Sequence, residues 1–194
     1  MFVNWQLREL NLKIVYYGPA LSGKTTNLEQ IHAHISPKRR GELISLKTTD
    51  DRTLYFDFLQ LELGKISGLT PKIQLYTVPG QAYYEASRKL VLRGADGVVF
   101  VADSSPKRLK ANLTAWDNMK AHLIALNLPT DIPVVIQLNK RDLPDAIPAT
   151  QLRRALTKQN LPTFEAVAQQ GKGVSNTMKT IISKVVMRIQ REVA

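Results

Sequence analysis

Leu12-Lys-Ile-Val-Tyr-Tyr-Gly18-Pro-Ala-Leu-Ser-Gly23-Lys24-Thr25-Thr-Asn-Leu-Glu-Gln-Ile-His-Ala-His-Ile35 is the stretch that decides the fold. Residues 12–17 predict a buried strand, and residues 26–35 predict a helix. Between them lies a complete G-x-x-x-x-G-K-T loop, Gly18 to Thr25. A strand, a tight glycine loop and a helix N-terminus surround an anion with backbone N–H groups. Lys24 has the reach for β- and γ-phosphates, and the Thr25 hydroxyl can ligate Mg²⁺. Gly18, Ala20, Leu21, Ser22, Gly23 and Thr26 complete the expected phosphate-binding segment. An ordinary glycine turn is the competing reading of the spacing alone.

Outward from this loop, apolar runs alternate with helical patterns. Pro37–Gly41 reads as a turn and Glu42–Leu46 as a short strand. Leu54–Leu63 and Lys72–Val78 alternate as half-buried strands, with Gly64–Pro71 as their hairpin loop, so this pair is expected to be antiparallel. A helix is expected over Tyr83–Leu92, a buried strand over Gly97–Ala102 and a long helix over Pro106–Leu126. A strand over Pro133–Leu138, a helix over Ala149–Gln159, a short strand over Phe164–Ala168 and an amphipathic helix over Val174–Glu192 complete the chain. This alternation predicts an α/β, doubly wound, mostly parallel sheet of six or seven strands.

The composition fits that class. The 194 residues, 44% of them hydrophobic, suit a single domain over residues 1–194. With no cysteine, disulfides, thiolate metal sites and cysteine lipidation are excluded. Residues 1–10 lack the pattern of a signal peptide, Phe2 excludes myristoylation, and no apolar run reaches the roughly 18 residues of a membrane helix. The expected location is the cytoplasm. The net charge is +11, and residues 151–194 carry eight Lys/Arg against two Glu. Such a surface suits an acidic partner protein, an anionic membrane or nucleic acid. The absence of an arginine-rich tract or a basic stripe with interleaved aromatics argues against nucleic acid as the main partner.

In doubly wound sheets, ligands bind over the carboxyl ends of the strands, and two further motifs fall there. Asn139-Lys140-Arg141-Asp142 follows the Pro133–Leu138 strand, 115 residues after Lys24. A carboxylate at Asp142 can accept from N1–H and the exocyclic N2 amine of guanine, donors that adenine does not present in that arrangement. Lys140 can lay its stem over the base, and Asn139 can tie this segment to the phosphate loop. A charged surface turn is the bland alternative. Thr77-Val78-Pro79-Gly80-Gln81 follows the Lys72 strand. There the Gly80 N–H can meet a γ-phosphate with no side chain in the way, and Gln81 can orient the attacking water. A Pro-Gly turn explains Pro79 and Gly80 but not the glutamine.

Together, these motifs resemble those of Ras-like small GTPases, in a phosphate-loop small G-domain. Gly18-Pro-x-x-x-Gly-Lys-Thr-Thr-Asn27, Asp51-Arg-Thr-Leu-Tyr-Phe-Asp-Phe-Leu59, Leu75-Tyr-Thr-Val-Pro-Gly-Gln81 with Ala86-Ser-Arg-Lys-Leu90, and Asn139-Lys-Arg-Asp-Leu-Pro144 resemble the bacterial MglA family of polarity and motility GTPases over nearly the whole chain. Thr77, where most Ras-like proteins carry aspartate, is the most specific mark.

The resemblance implies a monomeric GTP/GDP switch that needs Mg²⁺ and hydrolyses GTP slowly, with recruitment to a cell pole. It implies switch I over about residues 47–57 and switch II over about residues 79–93. Thr53 would join Thr25 at the metal or sense the γ-phosphate, and Arg52 would be an arginine supplied in cis. The Ala168 N–H would donate to guanine O6, with Gln169 beside it. A roadblock-type (MglB-like) dimer would activate hydrolysis, and effectors and an exchange factor are implied without being identified. The strand after switch I would shift register on activation. From the residues alone, a solvated loop arginine beside Asp50 and Asp51 is the favoured reading of Arg52. A GTP binder that barely hydrolyses, or another phosphate-loop NTPase, remain the rival functions. The chain departs from the family at Ala20, where glycine is usual.

Several residues invite a structural reading. His32, His34 and His122 lie in helices without a second ligand cluster. Trp5, Trp116, Tyr16 and Tyr17 suit packing, whereas Tyr83 and Tyr84 fall in the expected switch II. Asp103 is placed to cap the turn at Ser104–Ser105.

Overall fold

The computed structural model describes residues 2–4, 6–47, 53–64, 68–80 and 84–193. Among the described residues there are eight strands and five α-helices, and all but the first strand follow the expected order: β1 (Phe2–Asn4), β2 (Glu9–Tyr17), α1 (Lys24–His34), β3 (Ile44–Lys47), β4 (Thr53–Glu62), β5 (Thr70–Thr77), α2 (Glu85–Leu92), β6 (Gly97–Asp103), α3 (Leu109–Ala125), β7 (Val134–Asn139), α4 (Ala149–Leu156), β8 (Thr163–Glu165) and α5 (Val174–Val193). The sheet runs β3-β4-β5-β2-β6-β7-β8. β5, β2, β6, β7 and β8 are parallel, and β4 joins β5 as an antiparallel hairpin. No helix among the described residues is long and apolar enough to cross a membrane.

The sheet is doubly wound because its strands are apolar on both faces. Leu10, Leu12, Ile14 and Tyr16 of β2 pack with Leu28 and Ile31 of α1 and with Ile181, Val185 and Ile189 of α5. The alternate residues Val15 and Tyr17 pack on the other face with Leu92 of α2, Trp116 and Met119 of α3 and Leu152 of α4. The period of two along a strand separates these sets, and burial of both faces is what parallel strands require. Trp116 meets Phe100 edge-on at 4.9 Å.

Several elements differ from the expectation. β1 pairs antiparallel with β2, Phe2 opposite Asn11, and adds a short strand to the seven of the main order. Three residues carry no readable alternation. The long helix divides into a 3₁₀ turn, Pro106–Arg108, and α3 proper. α4 stops at Leu156 rather than Gln159 because Thr157 turns extended (φ −157°) and its hydroxyl accepts the Gln159 N–H at 3.1 Å, a local bond that competes with the helix. β8 is Thr163–Glu165 rather than Phe164–Ala168, and Ala168 opens a 3₁₀ turn over Ala168–Gln170. Trp5 and Tyr83 lie outside the described residues.

Candidate functional site

The phosphate loop hangs between β2 and α1, and its glycines are needed where they stand. Gly18 has φ +144°, and a Cβ there would lie 2.3 Å from the Val101 carbonyl oxygen. Gly23 has φ +99°, and a Cβ there would lie 2.2 Å from Asn139 Nδ2. Only glycine takes both the dihedral and the close approach. No acidic side chain stands in the first turn of α1, and its N-cap, Gly23, offers no side chain either. Its first N–H groups therefore remain for an anion.

Lys24 is buried and donates to the Gly18 carbonyl at 3.1 Å and to the Pro19 carbonyl at 2.7 Å. Burial pulls its pKa down to about 7; Asp57 opposes the drop, and Arg88 and Arg108 add to it. An arriving phosphate would offer this ammonium a far better partner than two neutral carbonyls. The buried Ser22 hydroxyl has no hydrogen-bond partner among the described residues. Ala20, Thr25 and Thr26 are half-buried around the loop, and Leu21 is exposed with φ +62°.

Behind Thr25 sits a carboxylate that the motif reading passed over. Asp57 of β4 is fully buried. Its Oδ2 accepts from Thr25 Oγ1 at 2.6 Å and from Thr77 Oγ1 at 2.7 Å, and Ser45 Oγ donates to Oδ1. The Asp57 N–H donates to Thr77 Oγ1 at 2.8 Å. Asp57 shares a strand face with the buried Leu59 and Leu61, so an ionisable residue in an apolar phase was the available signal. The cluster offers hydroxyl and carboxylate oxygens, the hard donor set that suits Mg²⁺. Thr53 opens β4 opposite Lys47, and the β3–β4 register shifts between Ser45 and Lys47.

The Pro-Gly turn after β5 closes on the phosphate loop. A Cβ on Gly80 would lie 2.4 Å from Ala20 Cα and 2.5 Å from Ala20 N, so the two backbones touch. Gln81 and Arg52, the two expected catalytic residues, lie outside the described residues, as do the side-chain contacts of Thr53.

The segment after β7, expected to recognise the base, is tied to the same loop. Asn139 ends β7, and its Nδ2 donates to the Ser22 carbonyl at 2.8 Å. Lys140 takes φ +64° and its ammonium pairs with Asp103 Oδ2 at 2.6 Å, which fixes the stem. Asp103 Oδ1 also accepts the Ser105 N–H, as its position suggested. Arg141 bonds Glu165 and the Ile147 carbonyl, while Asp142 stands exposed beyond it. The Ala168 N–H, assigned to a guanine O6, donates in this structure to Asn139 Oδ1 at 2.8 Å, because the 3₁₀ turn after β8 sets that amide against Asn139. Gln169 is exposed and its carbonyl accepts Gln30 Nε2 at 3.2 Å. A paired amide lattice beneath, Asn27 with Gln137 and then Thr177, braces α1 against β7 and α5.

Helix α2 has its own polar anchor. Tyr17 hydroxyl and His122 Nδ1 lie 3.0 Å apart, and His122 Nε2 stands 3.4 Å from Glu85 Oε1 of α2. Neutral His122 with its proton on Nε2 satisfies both contacts. Burial holds its pKa below the usual value, Glu85 opposes this, and Arg88 and Lys89 reinforce it. With a depressed folded pKa, the unfolded chain takes up the proton first, so stability present above about pH 6.5 is lost as pH falls through the folded value. Wild-type protein should therefore lose its melting-temperature advantage over His122→Gln between pH 7.5 and 5. A gap that stays constant across that range would show that His122 does not titrate in this way.

Comparison with known proteins agrees with this geometry. The ADP-ribosylation factor family model matches residues 1–185. The mutual gliding-motility protein MglA of Myxococcus xanthus is 49% identical, over 98% of both chains. The Ras-related protein Rab-5B of Plasmodium falciparum is 23% identical over 94% of this chain and 82% of its own. The Ras-related protein Rab-7a of Dictyostelium discoideum is 25% identical over 90% and 82%, respectively.

Proposed function

Because the chain belongs to the ADP-ribosylation factor family of Ras-like small GTPases, on its MglA branch, we propose how its residues run a GTP-dependent switch. The protein binds guanine nucleotide and hydrolyses GTP. In our reading it does so slowly, as a monomeric single domain of residues 1–194 in the cytoplasm, until a roadblock-type dimer stabilises its ordered switches. The observation that carries this reading is convergence. Gly80 from β5 and Asn139 from β7 both close on one phosphate loop, at Ala20 and at the Ser22 carbonyl.

Lys24 exchanges its loop carbonyls for the β- and γ-phosphates. Thr25 and Thr53 would hold Mg²⁺, which when bound would supply positive charge against the phosphate oxygens. Gln81 orients the water that attacks the γ-phosphorus as the bond to GDP breaks. Arg52 neutralises charge developing on the phosphates, and Asp142 selects guanine. The γ-phosphate orders the switch segments around residues 47–57 and 79–93, and its loss releases them. A register change of β4 against β5 would carry Asp57 away from Thr25. The name of the Myxococcus relative supports a role in motility or polarity through partners that read the ordered switches. Single-turnover hydrolysis measured with and without a roadblock protein tests this. Stimulation of at least tenfold is expected, a scale modest beside the 10³-fold or more reached with activators in related enzymes, and none would remove the activator from the reading.

Ala20 supports a second reading, a GTP binder that barely hydrolyses. Its methyl group occupies the loop position where γ-phosphate, glutamine and arginine must meet, and a misplacement of about 1 Å can cost about 10²-fold in rate. Ala20→Gly should raise single-turnover hydrolysis several-fold while leaving GTP affinity nearly unchanged. An unchanged or lower rate would show that the loop accommodates the methyl and that no brake is built in.

A further inference from the structure

Arg108 reaches the phosphate loop from outside every motif described so far. It ends the Pro106–Arg108 turn ahead of α3, and its Nη2 donates to the Ala20 carbonyl at 2.6 Å, across 88 positions of sequence. The Arg108 Nε is buried and makes no hydrogen bond among the described residues. The carbonyl it holds belongs to the peptide leading into Leu21, a non-glycine residue at φ +62°. That left-handed conformation opposes the residue's own preference and needs an outside restraint. A charge-assisted bond to the preceding carbonyl is such a restraint. On its other side, Ala20 lies against Gly80 with no room for a methyl group between them. Arg108 is also close enough to Lys24 to weaken that ammonium's hold on its proton.

We propose that Arg108 is a positioning residue for GTP hydrolysis, clamping the Ala20 carbonyl so that the third residue of the phosphate loop keeps its place against Gly80. The clamp acts through the loop and does not bring a second charge onto the transferred phosphate. It accounts for how a loop with alanine and leucine at positions 20 and 21 holds a phosphate-binding shape. This rests on the reading of the loop as the hydrolytic site.

The test is a double-mutant cycle of Arg108→Ala with Ala20→Gly in the full chain. Arg108→Ala should slow single-turnover GTP hydrolysis about tenfold, with GDP and GTP affinities within about threefold, since a sub-ångström shift near the reacting atoms affects rate before binding. Arg108→Lys should recover most of the rate, because an ammonium can still reach a carbonyl. In the Ala20→Gly background, the loss should shrink to twofold or threefold, because the methyl no longer needs placing. Equal losses in both backgrounds, or a rate loss matched by loss of nucleotide affinity, would overturn the proposal in favour of plain structural support. Should Arg108→Ala fail to fold, Arg108→Gln carries the same cycle. Wild-type protein that bound GTP without turnover would defeat the hydrolytic reading alone. The clamp would then be read from amide exchange at Leu21 and Ser22, which Arg108→Gln should accelerate in nucleotide-free protein and which no change would refute.

Discussion

Replacing Asp142 by Asn is expected to lower affinity for GTP and GDP by about 10²-fold or more, the scale at which a site built to hydrogen-bond a ligand rejects a mismatched partner. In the proposed reading the carboxylate accepts from guanine N1–H and the N2 amine, and an amide turned toward the base would present a donor to a donor, leaving one pairing unmade. The surrounding structure makes the substitution selective for the base. Asp142 is exposed and follows Arg141, which is anchored to Glu165 and the Ile147 carbonyl, so the backbone stays where it is when the side chain changes. Asn139 keeps its bond to Ser22 and Lys140 its pair with Asp103. Equilibrium titration with fluorescent GDP measures the loss. A change smaller than about threefold would mean that the base is not read at Asp142.

Gln81→Leu and Arg52→Ala should each reduce partner-stimulated hydrolysis by about 10³-fold, the scale of water positioning and arginine charge neutralisation in phosphoryl transfer. GTP binding should stay within a few-fold, because neither side chain holds the nucleotide in its ground state. The effect should be larger in the stimulated than in the intrinsic rate if, as proposed, a roadblock-type partner orders the segments that carry these residues. Unchanged stimulated turnover in Arg52→Ala would return that arginine to a solvated loop.

What could be read without coordinates was chemistry that is contiguous in the chain. The phosphate loop, the Pro-Gly turn and the Asn139–Asp142 segment each carry their donors and acceptors within a few residues, and their strand-end positions followed from the alternation of strands and helices. Asp57 was hidden because its role comes from Thr25, Thr77 and Ser45, which three other elements bring to it. Arg108 was hidden for the same reason, since its partner lies 88 positions away. Ala168 shows a different limit. Which acceptor its N–H meets in this structure depends on the 3₁₀ turn that replaces the end of the expected strand. The missed β1 and the early end of α4 are cases where three residues, or one threonine hydroxyl, decided a boundary that periodicity cannot resolve.

Competition for bound fluorescent GDP by GTP, GDP and ATP, in the presence of Mg²⁺, tests the central claim that this is a guanine-nucleotide switch built on the Gly18–Thr25 loop and Asp142. GTP and GDP should displace the probe at concentrations about 10²-fold or more below those ATP requires, consistent with discrimination by paired hydrogen bonds to the base. ATP competing as well as GTP would contradict the account and return the chain to the broader class of phosphate-loop NTPases.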